Sequence, residues 1–127
     1  MRRLLLDTHV ALWAFGAPGA LTPALRALIE DPRTTVMVSA ATVWEVEIKR
    51  ASGKLTSPSG FASMCVEHGF DPLAITFDHA ELAGGLPDHH ADPFDRMLIA
   101  QAMTEDVELV SQDRVFERYD VRLLLAQ

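Results

Sequence analysis

"LLLDTHVALWA", residues 4–14, runs through three leucines, meets an aspartate, and then changes its apolar spacing. An apolar run without polar alternation suits a short strand covered on both faces, as in a parallel sheet between helices. Arg2–Leu6 is therefore expected to be a strand that ends at Asp7, and Thr8–Phe15 a helix that follows it directly.

The alternation continues along the chain. Thr22-Pro23 joins an N-cap to a proline at the first helical position and opens a helix to about Glu30. "TTVMVS" (34–39) is a β-branched strand, and Ser39 caps a helix over Ala40–Ala51 that Gly53 terminates. Ser57-Pro58 is expected to open a further helix closing before Gly69. "DPLAI" (71–75) is expected as a strand and Asp78–Gly84 as a short helix. Asp92-Pro93 opens the helix Pro93–Glu105. Strand Glu108–Ser111, a helical turn from Arg114 and a last strand Val121–Leu125 follow. Strands alternating with helices of about ten residues define an α/β chain with a parallel sheet and helices on both faces. Ligands of such folds bind outside the carboxyl ends of the strands, where strand order reverses.

At 127 residues the chain is expected to form a single domain, 1–127, able to bury a core without covalent staples. Its 49% hydrophobic and 23% charged residues are ordinary globular composition. The lone Cys65 excludes an internal disulfide framework and fits a reducing compartment. No apolar run approaches the roughly 20 residues of a membrane helix. Asp7 also cuts the N-terminal leucine run too short for a signal peptide. A cytoplasmic protein without membrane contact is the expectation. The net charge of −7 is unfavourable for a nucleic-acid partner unless many of the acids gather at one site.

The acids at the expected strand ends are the chemical signal. Asp7 ends the first strand, and Asp113 follows "VELVS" by one residue. Asp95 lies three residues after the cap Asp92, in line with Leu98, Ile99 and Ala102, so it shares the face that should look toward the core. Glu45 sits six residues past its helix cap, about 9 Å along the axis. Helical side chains lean toward the N-terminus, which brings its carboxylate back toward the same edge. Each has a structural explanation too. Asp7, Asp92 and Asp113 suit caps or turns, Glu45 and Lys49 form a well-oriented i,i+4 pair, and periodicity alone does not choose Glu45 over Glu47. Gathered together, two carboxylates about 4 Å apart repel by roughly 4 kcal/mol at an effective dielectric near 20. A cluster of three or four must be partly protonated or hold a cation. With oxygen ligands alone, that cation is Mg²⁺ or Mn²⁺.

On these motifs the chain resembles the PIN-domain ribonucleases, and within them the VapC-type toxins of bacterial toxin–antitoxin pairs. "LLLDTHVALWA" is similar to the family's opening strand with its first acid, here Asp7. "SAATVWEVEIKRASGKL" (39–55) resembles the block whose acid falls on Glu45 and not Glu47. "LPDHHADPFDRMLIAQA" (86–102) resembles the most specific block and places an acid at Asp95, and "LVSQDRVFERYDV" (109–121) places the fourth at Asp113. Ala91 departs from the pattern, since relatives often carry a basic residue there, so one phosphate contact is expected to be weaker.

The resemblance implies a three-layer α/β/α sandwich with a five-stranded parallel sheet, usually as a homodimer. It implies Mg²⁺- or Mn²⁺-dependent endonucleolytic cleavage of RNA that blocks translation until a cognate VapB-type antitoxin binds. The expected roles are metal binding by Asp7, Asp95 and Asp113, with Glu45 orienting the attacking water and the products a 3′-hydroxyl and a 5′-phosphate. Thr8 and Ser111 are candidates for hydrogen-bonding the carboxylates. Lys49, Lys54, Arg96 and Arg114 are candidates for RNA phosphates, each also explicable as a solvated charge. His89 and His90 sit close enough to ligate or shuttle protons, but structural or solvated roles are the expectation, and Trp13 and Trp44 are expected to lie in a core or an interface. Two other classes remain as alternatives. A phosphorylation-dependent receiver domain would need an acidic pair after the first strand and a lysine ending the last, and "LLLDTH" and "VRLLLAQ" supply neither. A PIN-like binding module with a dead site would keep the fold without the chemistry.

Overall fold

Strand and helix alternate in this computed structural model, which describes residues 2–57 and 59–126. The elements are β1 (Arg3–Leu6), α1 (Thr8–Gly16), α2 (Pro23–Glu30), β2 (Thr35–Ser39), α3 (Ala40–Ala51), α4 (Phe61–Glu67), β3 (Asp71–Leu73), α5 (Phe77–Gly85), α6 (Pro93–Glu105), β4 (Glu108–Ser111) and β5 (Leu123–Leu125). Two 3₁₀ turns, Pro18–Ala20 and Arg114–Arg118, complete the path. The five strands form one parallel sheet in the order β3-β2-β1-β4-β5. The chain starts at the centre, steps outward through β2 and β3, and then crosses back to place β4 on the other flank of β1. Strand order reverses between β1 and β4, so the crevice for chemistry opens at their carboxyl ends. There Leu6 lies opposite Val110, and the Asp7 N–H donates to Val110 O at 2.9 Å.

Successive strand residues point to opposite faces, and the sheet divides the core accordingly. Leu4, Leu6, Val36, Val38 and Val110 meet Val10, Leu25, Val46 and Phe61 of the helices on one side. Leu5, Met37 and Leu109 meet Leu98, Ile99, Ala102 and Phe116 on the other. Three layers follow directly from that period of two. Among the described residues no helix is long and apolar enough to cross a membrane.

Several boundaries differ from expectation for local reasons. The helix expected from Ser57-Pro58 begins at Phe61, because Gly60 at φ 85° breaks helical continuity before it. Pro58 itself lies outside the described residues. The strand expected over 71–75 stops at Leu73, opposite Ser39, where β2 ends. Pro72 stands opposite Val38 on this edge strand. The last strand begins at Leu123 and not at Val121, whose N–H is taken by Tyr119 O in a turn at 2.9 Å.

The helix expected over Asp78–Gly84 is longer by a residue at each end because Thr76 caps it reciprocally. The His79 N–H donates to Thr76 Oγ1 at 3.2 Å, and the Thr76 N–H donates to His79 Nδ1 at 3.0 Å. With Nδ1 accepting, the ring proton resides on Nε2, which donates to Glu105 Oε2 at 2.9 Å and ties α5 to α6. His79→Ala removes both bonds and leaves a void in a buried position. It is expected to cost about 2–4 kcal/mol, read as a lower urea midpoint at unchanged m-value. An unchanged midpoint would show that the network is dispensable.

Candidate active site

Each acid at the strand ends is placed by the element it begins. Asp7 follows β1 and caps α1, its Oδ1 accepting from the Val10 N–H at 2.9 Å. Its Oδ2 accepts from the Ser111 hydroxyl at the end of β4, so one side chain bridges the two central strands. Ser111 Oγ in turn accepts from the Asp113 N–H at 3.0 Å, and Asp113 caps the 3₁₀ turn through the Val115 N–H at 3.0 Å. Asp92 caps α6, accepting from the N–H groups of Phe94 and Asp95 at 2.8 and 3.1 Å. Asp95, one turn in, is half-buried, and His90 Nε2 meets its Oδ2 at 2.7 Å.

Glu45 is buried on α3, while Glu47 points outward to Arg50 at 3.0 Å. Thr8 donates its hydroxyl to Glu45 Oε1 at 2.6 Å, and Lys49 Nζ sits 2.5 Å from Oε2. The i,i+4 pair is thus partly interior and not a solvated surface pair. Asp7, Glu45, Asp95 and Asp113 line a single cavity of about 420 Å³, together with Thr8, His9, Lys49, Asp92, Gln112 and Phe116.

Burial controls the charge of this site. Loss of hydration raises the Asp7 carboxyl above its ordinary value, against the Ser111 and Val10 hydrogen bonds that favour the anion, and Glu45 adds repulsion. Burial likewise pushes Asp95 up to about 6, aided by Asp92 and Glu45 and opposed by His90. The hydrogen bond to Glu45 raises Lys49, keeping it cationic. The expected crowding of three or four carboxylates at one point is not present. Among the described residues no three His, Cys, Asp or Glu side chains are already gathered as a metal cage. The acids stand around the cavity, each held by its own partner.

The donor set nevertheless fits a hard divalent cation. Five carboxylates line the cavity, His9 and Lys49 are its nitrogen-bearing side chains besides the amide of Gln112, and Cys65 is elsewhere, in the core. Among the described residues nothing bonds to Asp95 Oδ1 or Asp113 Oδ2, which leaves those oxygens free to ligate. Both oxygens of Glu45 are engaged by Thr8 and Lys49, which suits an outer position better than direct ligation.

The basic candidates separate. Lys49 lies in the cavity wall, whereas Lys54 is exposed and outside it. Arg114 pairs with Glu117 at 2.9 Å on the surface. Arg96 is not available to phosphate. Its Nη2 donates to Ala83 O and Leu86 O, both at 2.9 Å, and its Nη1 to Pro87 O and His90 O at 3.1 and 3.2 Å. It clamps the loop that carries His90, a role for which five fixed donors suit arginine. Sequence reasoning weighed His90 near the site, where it meets Asp95, and passed over His9 and Gln112. Gln112 has one signal, its place between Ser111 and Asp113. Of the tryptophans, Trp13 packs against the core, while Trp44 is exposed.

A parallel sheet with acids at its reversal point defines an α/β protein built around one acidic cavity. The PIN domain family model matches residues 4–122, and the chain belongs to that family. It is 37% identical over 62 residues to "Ribonuclease VapC16" of Mycobacterium tuberculosis, a match covering 46% of this chain and 43% of that protein's length. The fold is similar to that of VapBC2 from Rickettsia felis bound to a promoter DNA fragment, with TM-score 0.72, 14% identity and coverage of 98% of this chain and 99% of the other. It is also similar to DNA-bound VapBC from Salmonella typhimurium, with TM-score 0.69, 20% identity and full coverage of both chains. Membership of the family removes the receiver-domain alternative.

The raised Asp95 carboxyl has a measurable consequence. An unfolded aspartate titrates near 4. With a folded value of about 6, the folded state holds the extra proton between those values, so stability falls as pH rises through that interval. In a chelator, Asp95→Asn is expected to raise the Tm at pH 7.5 by about a few degrees, and the gain should shrink toward pH 5. Thermal scans of both proteins decide it. A gain that is absent, or that grows on acidification, contradicts the assigned cause.

Proposed function

We propose that this protein is a Mg²⁺- or Mn²⁺-dependent endoribonuclease, acting as the toxin of a toxin–antitoxin pair. One observation carries the proposal: Asp7, Glu45, Asp95 and Asp113, from four separate parts of the chain, line one cavity where β1 and β4 end. The similarity to the mycobacterial ribonuclease and to the VapBC toxin–antitoxin structures supports the same reading.

Asp7, Asp95 and Asp113 would hold the ion. When bound, it supplies Lewis acidity, polarising a phosphate oxygen and lowering the pKa of a water. The Ser111 hydroxyl fixes the Asp7 carboxylate, and Asp92 presents Asp95 by capping the start of α6. Glu45, oriented by Thr8 and Lys49, accepts a hydrogen bond from the attacking water through a remaining lone pair. The water oxygen bonds to phosphorus in line with the departing 3′ oxygen and gives up a proton to bulk water, while the P–O3′ bond breaks and O3′ takes a proton from bulk water. A 3′-hydroxyl and a 5′-phosphate result, and the substrate's 2′-hydroxyl takes no part. Lys49, held cationic, faces the phosphate charge from the cavity wall. A VapB-type antitoxin and a second copy of the chain are the proposed protein partners.

Purified protein is expected to cleave RNA only with Mg²⁺ or Mn²⁺. Asp7→Asn or Asp95→Asn should lower the rate by more than about 100-fold, beyond the usual effect of losing an outer-shell group, with the folded circular dichroism spectrum retained. An active, metal-independent Asp95→Asn protein contradicts the proposal.

For the toxin role, expression is expected to arrest growth, and co-expression of the adjacent small gene product to restore it. Undisturbed growth and translation would remove that assignment.

A further inference from the structure

His90 reaches a carboxylate of the cavity from outside it. Its Nε2 meets Asp95 Oδ2 at 2.7 Å, yet Asp95 lines the cavity and the imidazole does not. An ionised carboxylate only accepts, so the proton of this contact belongs to Nε2. The last torsion of an aspartate is soft, and a carboxylate turns about it readily unless something holds one oxygen. Here Oδ2 is held, and among the described residues Oδ1 is left unbonded.

The loop that carries His90 is itself tied down. Arg96, the residue after Asp95, donates from Nη2 to Ala83 O and Leu86 O and from Nη1 to Pro87 O and His90 O. The Tyr119 hydroxyl donates to Pro87 O at 2.8 Å and accepts the His89 N–H at 3.1 Å. The His90 ring stands edge-on to Phe116, with centroids 6.0 Å apart and planes at 72°. Backbone and ring are both fixed, and the circuit closes on α6, where Asp95 meets the His90 side chain and Arg96 its carbonyl. Four carbonyls gathered on one guanidinium, in a loop that ends at a single imidazole, exceed what a connection from α5 to α6 requires.

We propose that His90 is a positioning residue for Asp95, fixing the orientation in which that carboxylate meets a divalent cation, and that Arg96 acts through His90 by holding its loop. The proposal rests on the metal-dependent reading above and adds two residues that lie outside the cavity lining. Ligating carboxylates are themselves hydrogen-bonded, and losing such a partner weakens metal binding by about 10–100-fold.

The probe is Mn²⁺ alone, titrated calorimetrically into the full chain without RNA, with the Tm of each variant measured in chelator. His90→Phe keeps a ring beside Phe116 and removes the donor, whereas His90→Gln restores a side-chain N–H. His90→Phe is expected to raise the Mn²⁺ Kd by about 10–100-fold, and His90→Gln to recover most of that loss. Arg96→Lys should also raise the Kd in the wild-type background, but by less than about twofold more in His90→Phe, as for residues acting in series. An unchanged Kd in His90→Phe overturns the positioning role, since a mere latch of the loop moves Tm alone. A Kd as weak in His90→Gln as in His90→Phe overturns it as well. Equal losses on Arg96→Lys in both backgrounds overturn the part assigned to Arg96. Should His90→Phe fail to fold, His90→Ala is read by the same criteria. Wild-type protein that takes up no Mn²⁺ removes the metal reading and this proposal together. Mn²⁺ binding that depends on His90, without RNA cleavage, keeps the positioning role and removes the nuclease. Cleavage with a Kd indifferent to His90 does the reverse.

Discussion

Asp7 is held from three directions, and the site follows from that constraint. Its N–H joins the β4 ladder at Val110, one carboxylate oxygen caps α1, and the other receives the Ser111 hydroxyl. The first bond sets the register at the centre of the sheet. The second directs the chain into a helix immediately after the strand. The third locks β1 to β4 at the point where strand order reverses. A residue with these duties cannot move without disturbing both core layers, so its carboxylate is presented at a fixed place and depth. The remaining acids are arranged around it from elements that pack on the same central pair.

Charge at this centre is managed locally. Five of the eighteen acidic side chains line one cavity: Asp7, Glu45, Asp92, Asp95 and Asp113. Lys49 answers Glu45, His90 answers Asp95, and burial holds Asp7 and Asp95 toward their protonated forms. Repulsion among the carboxylates that share the cavity is thereby eased. This concentration also changes the meaning of the net charge of −7, since a large part of the acidity belongs to a recess and not to the outer surface.

Much of this was legible in the chain because it depends on local chemistry. Uninterrupted "LLL" and "VMV" mark strands covered on both faces, and Asp92-Pro93 marks a helix start, and these features survive folding unchanged. What was not legible depends on partners distant in sequence. Periodicity left Glu45 and Glu47 undecided, and only the motif resemblance chose Glu45, because the outcome turns on how α3 lies against Thr8, thirty-seven residues away for Glu45. Arg96 looked like a phosphate contact because nothing in its neighbourhood shows that four carbonyls, from the end of α5 and the loop after it, will surround it. Trp44 was expected in a core or an interface, and only the tertiary arrangement excludes the core. Strand bounds suffered similarly, since β3 stops where β2 ends and β5 starts late because a turn takes the Val121 N–H.

Pro72 at the sheet's flank has a consequence for assembly. A proline within a sheet sits where its missing N–H faces outward. In a parallel strand of three residues, the neighbours Asp71 and Leu73 turn their backbone inward to β2, so the outer margin is left without a usable donor at its middle. An incoming strand would find the Pro72 carbonyl but no N–H there, so a single imino acid weakens fibre-like growth from this flank.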